Sequence, residues 1–291
     1  MADNYSNPAR AGGYTGAVAL TRRDFLRSAT VVTAGALTGV AAYGVAYERH
    51  HIVRIVRDIA VRGLPPALDG LRIGMITDVH HSAVVSAEDV SHAVAVLKES
   101  APDIIVMGGD YVSFFDRAYA GRVAELLSPL ASAPLGSFAV LGNHDDEREV
   151  PAALSARGFT VLKDQRTRLM VKGEPLDIAG IHFWTRSPGE IAAVLKGTGG
   201  TTILLAHDPR RLVEAAALDV QLVLSGHTHG GQVIVPAIGA IAGRKFPVLA
   251  GYATRENTSL FVSKGVGTVY VPVRINCPPD VAVLTLRPAA V

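Results

Sequence analysis

Residues 225–232 read Ser-Gly-His-Thr-His-Gly-Gly-Gln and follow a short apolar run, 220–224. The run has the composition of a buried strand. Here the flanking glycines end the strand in a loop, where His227 and His229 can turn towards one point. Imidazole is the commonest metal-binding side chain. The arrangement recurs along the chain. Other apolar runs end in Asp78 and His80, in Asp110, in Asn143 with His144 and Asp145, and in His207. One buried strand ending in a polar residue is commonplace; five ending in Asp, Asn or His are hard to ascribe to chance. Asp78, His80, Asp110, Asn143, His207, His227 and His229 offer oxygen and nitrogen without thiolate, a set that suits Mn, Fe or Zn. They are too many for one tetrahedral ion and suit two. Two ions can clamp the attacking and leaving oxygens of an in-line displacement at phosphorus.

Strands at 71–77, 104–107, 137–141, 202–206 and 220–224 must deliver these residues. In open α/β sheets, ligands bind outside the carboxyl ends of the strands. Helices are expected between them. Ser86 and Asp89 form a capping box before the stripe Val90, Ala93, Val94 and Leu97, and Pro102 closes that helix. A second helix is predicted over 117–131 and a third near 148–157. Ser187 and Glu190 cap another, with Pro188 at its first position. Asp208 caps, and Pro209 opens, a helix to Ala217. Further strands are expected at 52–62 (a sheet edge), 159–162, 168–172, 176–180, 233–235, 259–264, 267–272 and 281–286. No internal repeat or interior linker interrupts residues 48–291, which read as one domain.

The ordered series Asp78-Val79-His80, Gly109-Asp110, Gly142-Asn143-His144-Asp145, His207 and Gly226-His227-Thr228-His229 resembles the motifs of the calcineurin-like metallophosphoesterases. The resemblance covers residues 53–287. The ending Gly-His-Thr-His-Gly-Gly-Gln is similar to that of exported or membrane-anchored bacterial members. It implies an α/β fold, a four-layer αββα sandwich of two mixed β-sheets flanked by helices. It also implies that Asp78, His80 and His229 hold one divalent metal ion and Asn143, His207 and His227 the other. Asp110 then bridges both, a bridging hydroxide attacks phosphorus, and His144 stabilises the transition state or protonates the leaving group. Asp145 is expected to orient the His144 ring. His81 either lines the pocket or is a plain surface histidine. His182, Trp184 and Arg186 lie in a loop that reaches substrate or is structural, and His50, His51 and His92 are expected to be solvated.

The envelope is that of a globular protein: 291 residues, 49% hydrophobic and 19% charged, enough for one large domain. The single cysteine, Cys277, excludes an internal disulfide framework and reads as a small buried residue. Residues 1–46 hold four of the 28 basic and two of the 26 acidic residues, which leaves 24 of each beyond. No basic face for nucleic acid is indicated. Residues 1–20 are expected to be disordered. Thr21-Arg22-Arg23-Asp24-Phe25-Leu26-Arg27 resembles a twin-arginine export signal, and residues 29–47 carry no charge. That length also spans a bilayer. Gly44 and Ala46 permit cleavage after Ala46, and an uncleaved anchor is the competing reading. Twin-arginine export suits a protein that folds and acquires metal before crossing. The expected substrate is a small-molecule or lipid-linked phosphoester, a diester or pyrophosphate, met outside the cytoplasmic membrane. One rival is hydrolysis of a UDP-linked acylated sugar, which the export signal opposes. The other is an exported metal-binding module without turnover, which the complete motif set opposes.

Overall fold

Ile104–Met107, Thr201–Leu205, Leu222–Ser225 and Thr258–Val262 are buried at every position. A strand covered on both faces has no polar side to show, so its sequence reads as a continuous apolar run. A computed structural model describes residues 21–289. Residues 1–20, the stretch expected to be disordered, lie outside the described residues. Contacts divide the chain into a unit ending at Val40 and a unit from Ala41 onwards.

Helix α1 (Arg22–Ala46) opens with Thr21 Oγ1 accepting the Asp24 N–H at 3.2 Å, and of its residues only Gly44 is buried. The second unit runs β1 (Val53–Val61), β2 (Arg72–Ile76), α2 (Ala87–Lys98), β3 (Ile104–Met107), α3 (Ala120–Leu127), β4 (Ser137–Ala139), α4 (Glu149–Ser155), β5 (Thr160–Val161), β6 (Gln165–Val171) and β7 (Glu174–Gly180). It continues with α5 (Pro188–Leu195), β8 (Thr201–Leu205), α6 (Leu212–Ala217), β9 (Leu222–Ser225), β10 (Ile234–Val235), β11 (Gly239–Ala240), β12 (Gly251–Arg255), β13 (Thr258–Val262) and β14 (Asp280–Pro288). One six-stranded sheet has the order β1-β14-β2-β3-β4-β5 and the other β12-β13-β9-β8-β7-β6. Both are mixed: β14 is antiparallel to β2, β13 to β12 and β6 to β7, while β2 to β5 and β7 to β9 run parallel.

Alternation along the buried strands builds four layers. Ile104 and Val106 face the second sheet, where Ile203, Leu205, Leu222 and Leu224 meet them. Their neighbours Ile105 and Met107 point the other way, onto Val94 and Leu97 of α2 and Val123 and Leu127 of α3. Leu204 and Val223 pack against Ile191 of α5 and Leu212 of α6. A period of two thus gives each strand two apolar partners, and the αββα sandwich follows.

Both capping boxes form. The helix expected over 117–131 is α only at α3, with 3-10 turns on either side; Pro129 has no N–H to continue it. Residues 267–272, expected as a strand, form no ladder. Two of their backbone groups bond to one side chain instead: Gln232 Oε1 accepts the Val269 N–H at 2.8 Å and its Nε2 donates to the Val271 carbonyl at 3.2 Å. β10 lies within the strand expected at 233–235, whereas its hairpin partner β11 and β12 were not anticipated; these two are at most partly buried and lack an apolar run.

Candidate metal centre

Asp78 and His80 follow β2, Asp110 follows β3, Asn143 and His144 follow β4, His207 follows β8, and His227 and His229 follow β9. The strand ends turn sharply. Asp78, His80, Asp110, His227 and His229 have φ of 49°, 49°, 56°, 72° and 50°. The left-handed region is sparsely used by non-glycine residues and costs about 1–3 kcal/mol each. On a strand, residues two apart would share one face; these turns re-aim them. His227 and His229 consequently address two neighbouring points rather than one. Asp78, His80 and His229 form one group and Asp110, His207 and His227 another, the potential ligand atoms of each lying within 4.8 Å of one another.

The groups meet at Asp110. Its Oδ1 accepts the His144 N–H at 2.8 Å, while Oδ2 lies 3.5 Å from His80 Nε2 and 3.2 Å from His207 Nε2. In the first group, His80 Nε2 is 3.1 Å from His229 Nε2, and His229 Nε2 is 3.4 Å from Asp78 Oδ1. Asp78 accepts the Thr77 hydroxyl at 2.7 Å and the His227 N–H at 3.0 Å. His207 Nδ1 donates to the Gly108 carbonyl at 2.7 Å, which presents Nε2 to the site. Glycine is required beside both carboxylates: a Cβ at Gly226 would overlap Asp78 Oδ2, and one at Gly142 would overlap Asp110 Oδ1.

Burial sets the charge. It pulls the His80 ring down to about 4 and the His227 ring, which also faces His207, down to about 3. His229 lies well below the usual imidazole range because it is buried and faces His80. All three are therefore neutral at neutral pH, with lone pairs to offer. Burial also lowers His207, but Asp110 and Asp78 outweigh it and lift this ring to about 10. Burial pushes Asp78 up to about 6. It acts against Asp110 as well, yet His207 and His80 hold that carboxyl well below its usual range.

The residues fit divalent cations. Asn143 Oδ1 and His207 Nε2 are buried without a hydrogen-bond partner, the latter at an angle that makes no bond to Asp110. Buried polar atoms are rarely left so, and both are oxygen or nitrogen donors facing the two groups. The family described as calcineurin-like phosphoesterase matches residues 71–231, which include every residue of both groups. A Bacillus subtilis protein, the uncharacterized metallophosphoesterase YkuE, is 30% identical over 280 residues, covering 92% of this chain and 98% of its own. The chain belongs to the calcineurin-like phosphoesterase family. The phosphoesterase is also 31% identical over 230 residues to Phosphodiesterase YaeI of Escherichia coli, covering 74% of this chain and 82% of that protein. A transmembrane protein with metallophosphoesterase domain from Danio rerio is 30% identical over 271 residues, 86% of this chain and 61% of the relative. The phosphoesterase is thus a metal-dependent hydrolase of phosphoric esters.

The remaining predicted residues divide. His144 lines the same cavity as Asp110 and Asn143. Its Nδ1 accepts the Phe114 N–H at 3.2 Å, so a neutral ring carries its proton on Nε2. Burial lowers its pKa, which favours that neutral form. Asp145 does not orient this ring. Its carboxylate instead accepts the N–H groups of Asp110, Tyr111 and Gly142 at 2.8, 2.7 and 2.8 Å, drawing the ends of β3 and β4 together. His81 is neither a pocket residue nor a surface one. It is buried against Tyr119 and donates to the Val85 carbonyl. His50 is half-buried and bonded to Asp89 at 2.6 Å, whereas His51 and His92 are exposed. His182 pairs with Glu147 at 3.1 Å and Arg186 stacks over Trp184, so a different residue of that loop, Phe183, meets His227.

Arg274 carried no signal in the sequence because it belongs to no motif. It is fully buried and donates to the carbonyls of Lys264, Gly265, Gly267 and Cys277 at 2.9, 3.0, 2.6 and 3.1 Å. Gly265 backs onto Asp78 and Gly267 onto Val79, so Arg274 clamps the loop behind the first group.

Proposed function

We propose that the protein is a membrane-anchored hydrolase of phosphodiester or pyrophosphate bonds that acts outside the cytoplasmic membrane with two divalent cations. Asp78, His80 and His229 would hold one cation. Asn143, His207 and His227 would hold the other, with Asp110 shared. The observation that carries this reading is Asp110 Oδ2, which faces both groups while Oδ1 is committed to the His144 amide. Such a pair of cations, when bound, neutralises the phosphoryl group and lowers the pKa of the attacking water. The donor set suits Mn, Fe or Zn. His144 would donate from Nε2 to a substrate oxygen, its tautomer held by the Phe114 amide. Asp145 fixes the backbone on which Asp110 and Asn143 sit. The name of the E. coli relative, a phosphodiesterase, supports diesters over monoesters.

The twin-arginine stretch and α1 support export and anchoring. The stretch Arg22–His50 reaches a mean hydropathy of 1.5. Retention of the helix is supported at Gly44, whose carbonyl accepts the Arg274 N–H at 3.2 Å. A Cβ at Gly44 would lie only 2.5 Å from the Arg274 carbonyl oxygen. Cleavage after Ala46 would remove that contact. Chelator-stripped full-length protein reloaded with Mn, Fe or Zn should bind two ions per chain and cleave bis(4-nitrophenyl) phosphate faster than 4-nitrophenyl phosphate. A monoester preference would overturn the diester reading. Two bound ions with no turnover of any diester, monoester or pyrophosphate would leave only a metal-binding module.

A further inference from the structure

Two aromatic side chains stand at the mouth of the metal centre where neither burial nor backbone geometry favours them. Phe114 and Tyr270 have φ of 52° and 62°, and they are 56% and 79% exposed. Bulky residues are outliers in the left-handed region, and a ring left in water forgoes its burial energy. Backbone strain of this kind clusters at ligand sites. The rings flank His144. The Phe114 centroid is 5.0 Å and the Tyr270 centroid 6.2 Å from the imidazole, and the two rings are 5.7 Å apart.

Tyr270 and Val271 form a wall common to two cavities. One, of about 380 Å³, runs from Asp110, Asn143 and His229 to Val233, Ile241 and Phe246. The other, of about 460 Å³, is lined by Val84, Phe114, Tyr119 and Pro272. Val84, Ile241 and Val271 are roughly half exposed. The two cavities adjoin as a trough with Asp110 and His144 at one end and a mainly apolar lining beyond, interrupted by Lys245, Gln232 and Asp116, the profile of a site for an amphiphile. The wall continues into Val273 and Ile275, which touch Gly44 in the last turn of α1. That helix is long and apolar enough to cross a membrane. A chain held in a bilayer by α1 would leave it at the residues that touch this wall.

We infer that the trough seats the apolar chain of a lipid-linked phosphoester whose phosphate lies at the Asp110 and His144 end. The inference rests on the diesterase reading and names its substrate class. In the reaction, the water oxygen bonds to phosphorus and one water proton passes to the departing oxygen. The products are a phosphomonoester and an alcohol.

Metal-loaded full-length protein is assayed on methyl, butyl and octyl 4-nitrophenyl phosphodiesters below their micelle concentrations. KM should fall along the series, by up to about fourfold for each methylene that enters the trough, equivalent to ~0.8 kcal/mol per buried CH₂. The slope should flatten in the Tyr270→Ser/Val271→Ser variant, and in Ile241→Asn on the opposite wall. No turnover of the methyl ester would reject the diesterase reading itself. Turnover of all three esters with equal KM would reject the lipid inference alone, and is also the result expected if the rim merely rests on a bilayer. An undiminished slope in both variants would equally overturn it.

Discussion

His144 illustrates how one backbone amide narrows the chemistry of a ring. Because the Phe114 N–H occupies Nδ1, the imidazole cannot take a second proton without losing that bond. It is therefore suited to donate a hydrogen bond from Nε2 rather than to cycle as an acid. Loss of one preorganised donor costs typically ~10²–10³-fold in turnover. His144→Ala should slow alkyl and nitrophenyl diesters by a similar factor of that order, with metal content unchanged. A much larger loss on the alkyl ester would restore the general-acid role. Asp110→Asn tests the shared oxygen. It removes the charge between the groups, so metal analysis should find about one of the two ions lost, along with activity. A variant that keeps both ions and full turnover would contradict the sharing.

At the scale of elements, the loop after β13 is held less by its own sequence than by Arg274. Arg274→Met would leave the carbonyls of Lys264, Gly267 and Cys277 without their donor, while Gly265 keeps the Asp280 N–H, and an unsatisfied buried group costs ~1–3 kcal/mol. Thermal or urea denaturation should show a loss of at least ~2 kcal/mol. The Asp78 group should lose its ion before the Asp110 group does. Equal loss from both would make Arg274 a general stabiliser rather than a positioning residue. Helix α1 carries the export proposal. Lysine at both Arg22 and Arg23 should leave the protein in the cytoplasmic fraction, and normal export of that variant would remove the twin-arginine assignment.

For the whole molecule, the cluster couples metal, proton and stability. In chelated protein the His207 ring, lifted to about 10 by Asp110 and Asp78 against the pull of burial, is charged at neutral pH. A folded-state pKa above the unfolded value of 6.5 gives stability that is fully present below about 6.5 and lost as pH rises through about 10. The melting temperature of chelated protein should therefore fall between those limits. Metal loading should raise the melting temperature and remove this dependence, because a cation replaces the proton. Titration calorimetry in buffers of different ionisation enthalpy should then register proton release on metal uptake near pH 7. Uptake with no proton release would show that His207 is neutral in the chelated protein.

The strands that carry the site were legible because burial on both faces demands continuous apolar residues, and a polar residue at such a strand's end stands out. The two capping boxes were legible for a similar reason: each is a contact between residues three apart. What the sequence could not express depends on the sign of a dihedral or on partners distant in the chain. His227 and His229 separate into different groups because both take positive φ. Asp145 bonds to amides 34 and 35 residues earlier rather than to its neighbour's ring. Residues 267–272 look like a strand by composition, yet the side chain of Gln232, 37 residues before Val269, captures two of their backbone groups. Local patterns record what a residue needs from solvent. Which lone pair of Asp110 stays free, and which carbonyls Arg274 gathers, exist only once the chain has brought those groups within hydrogen-bonding distance.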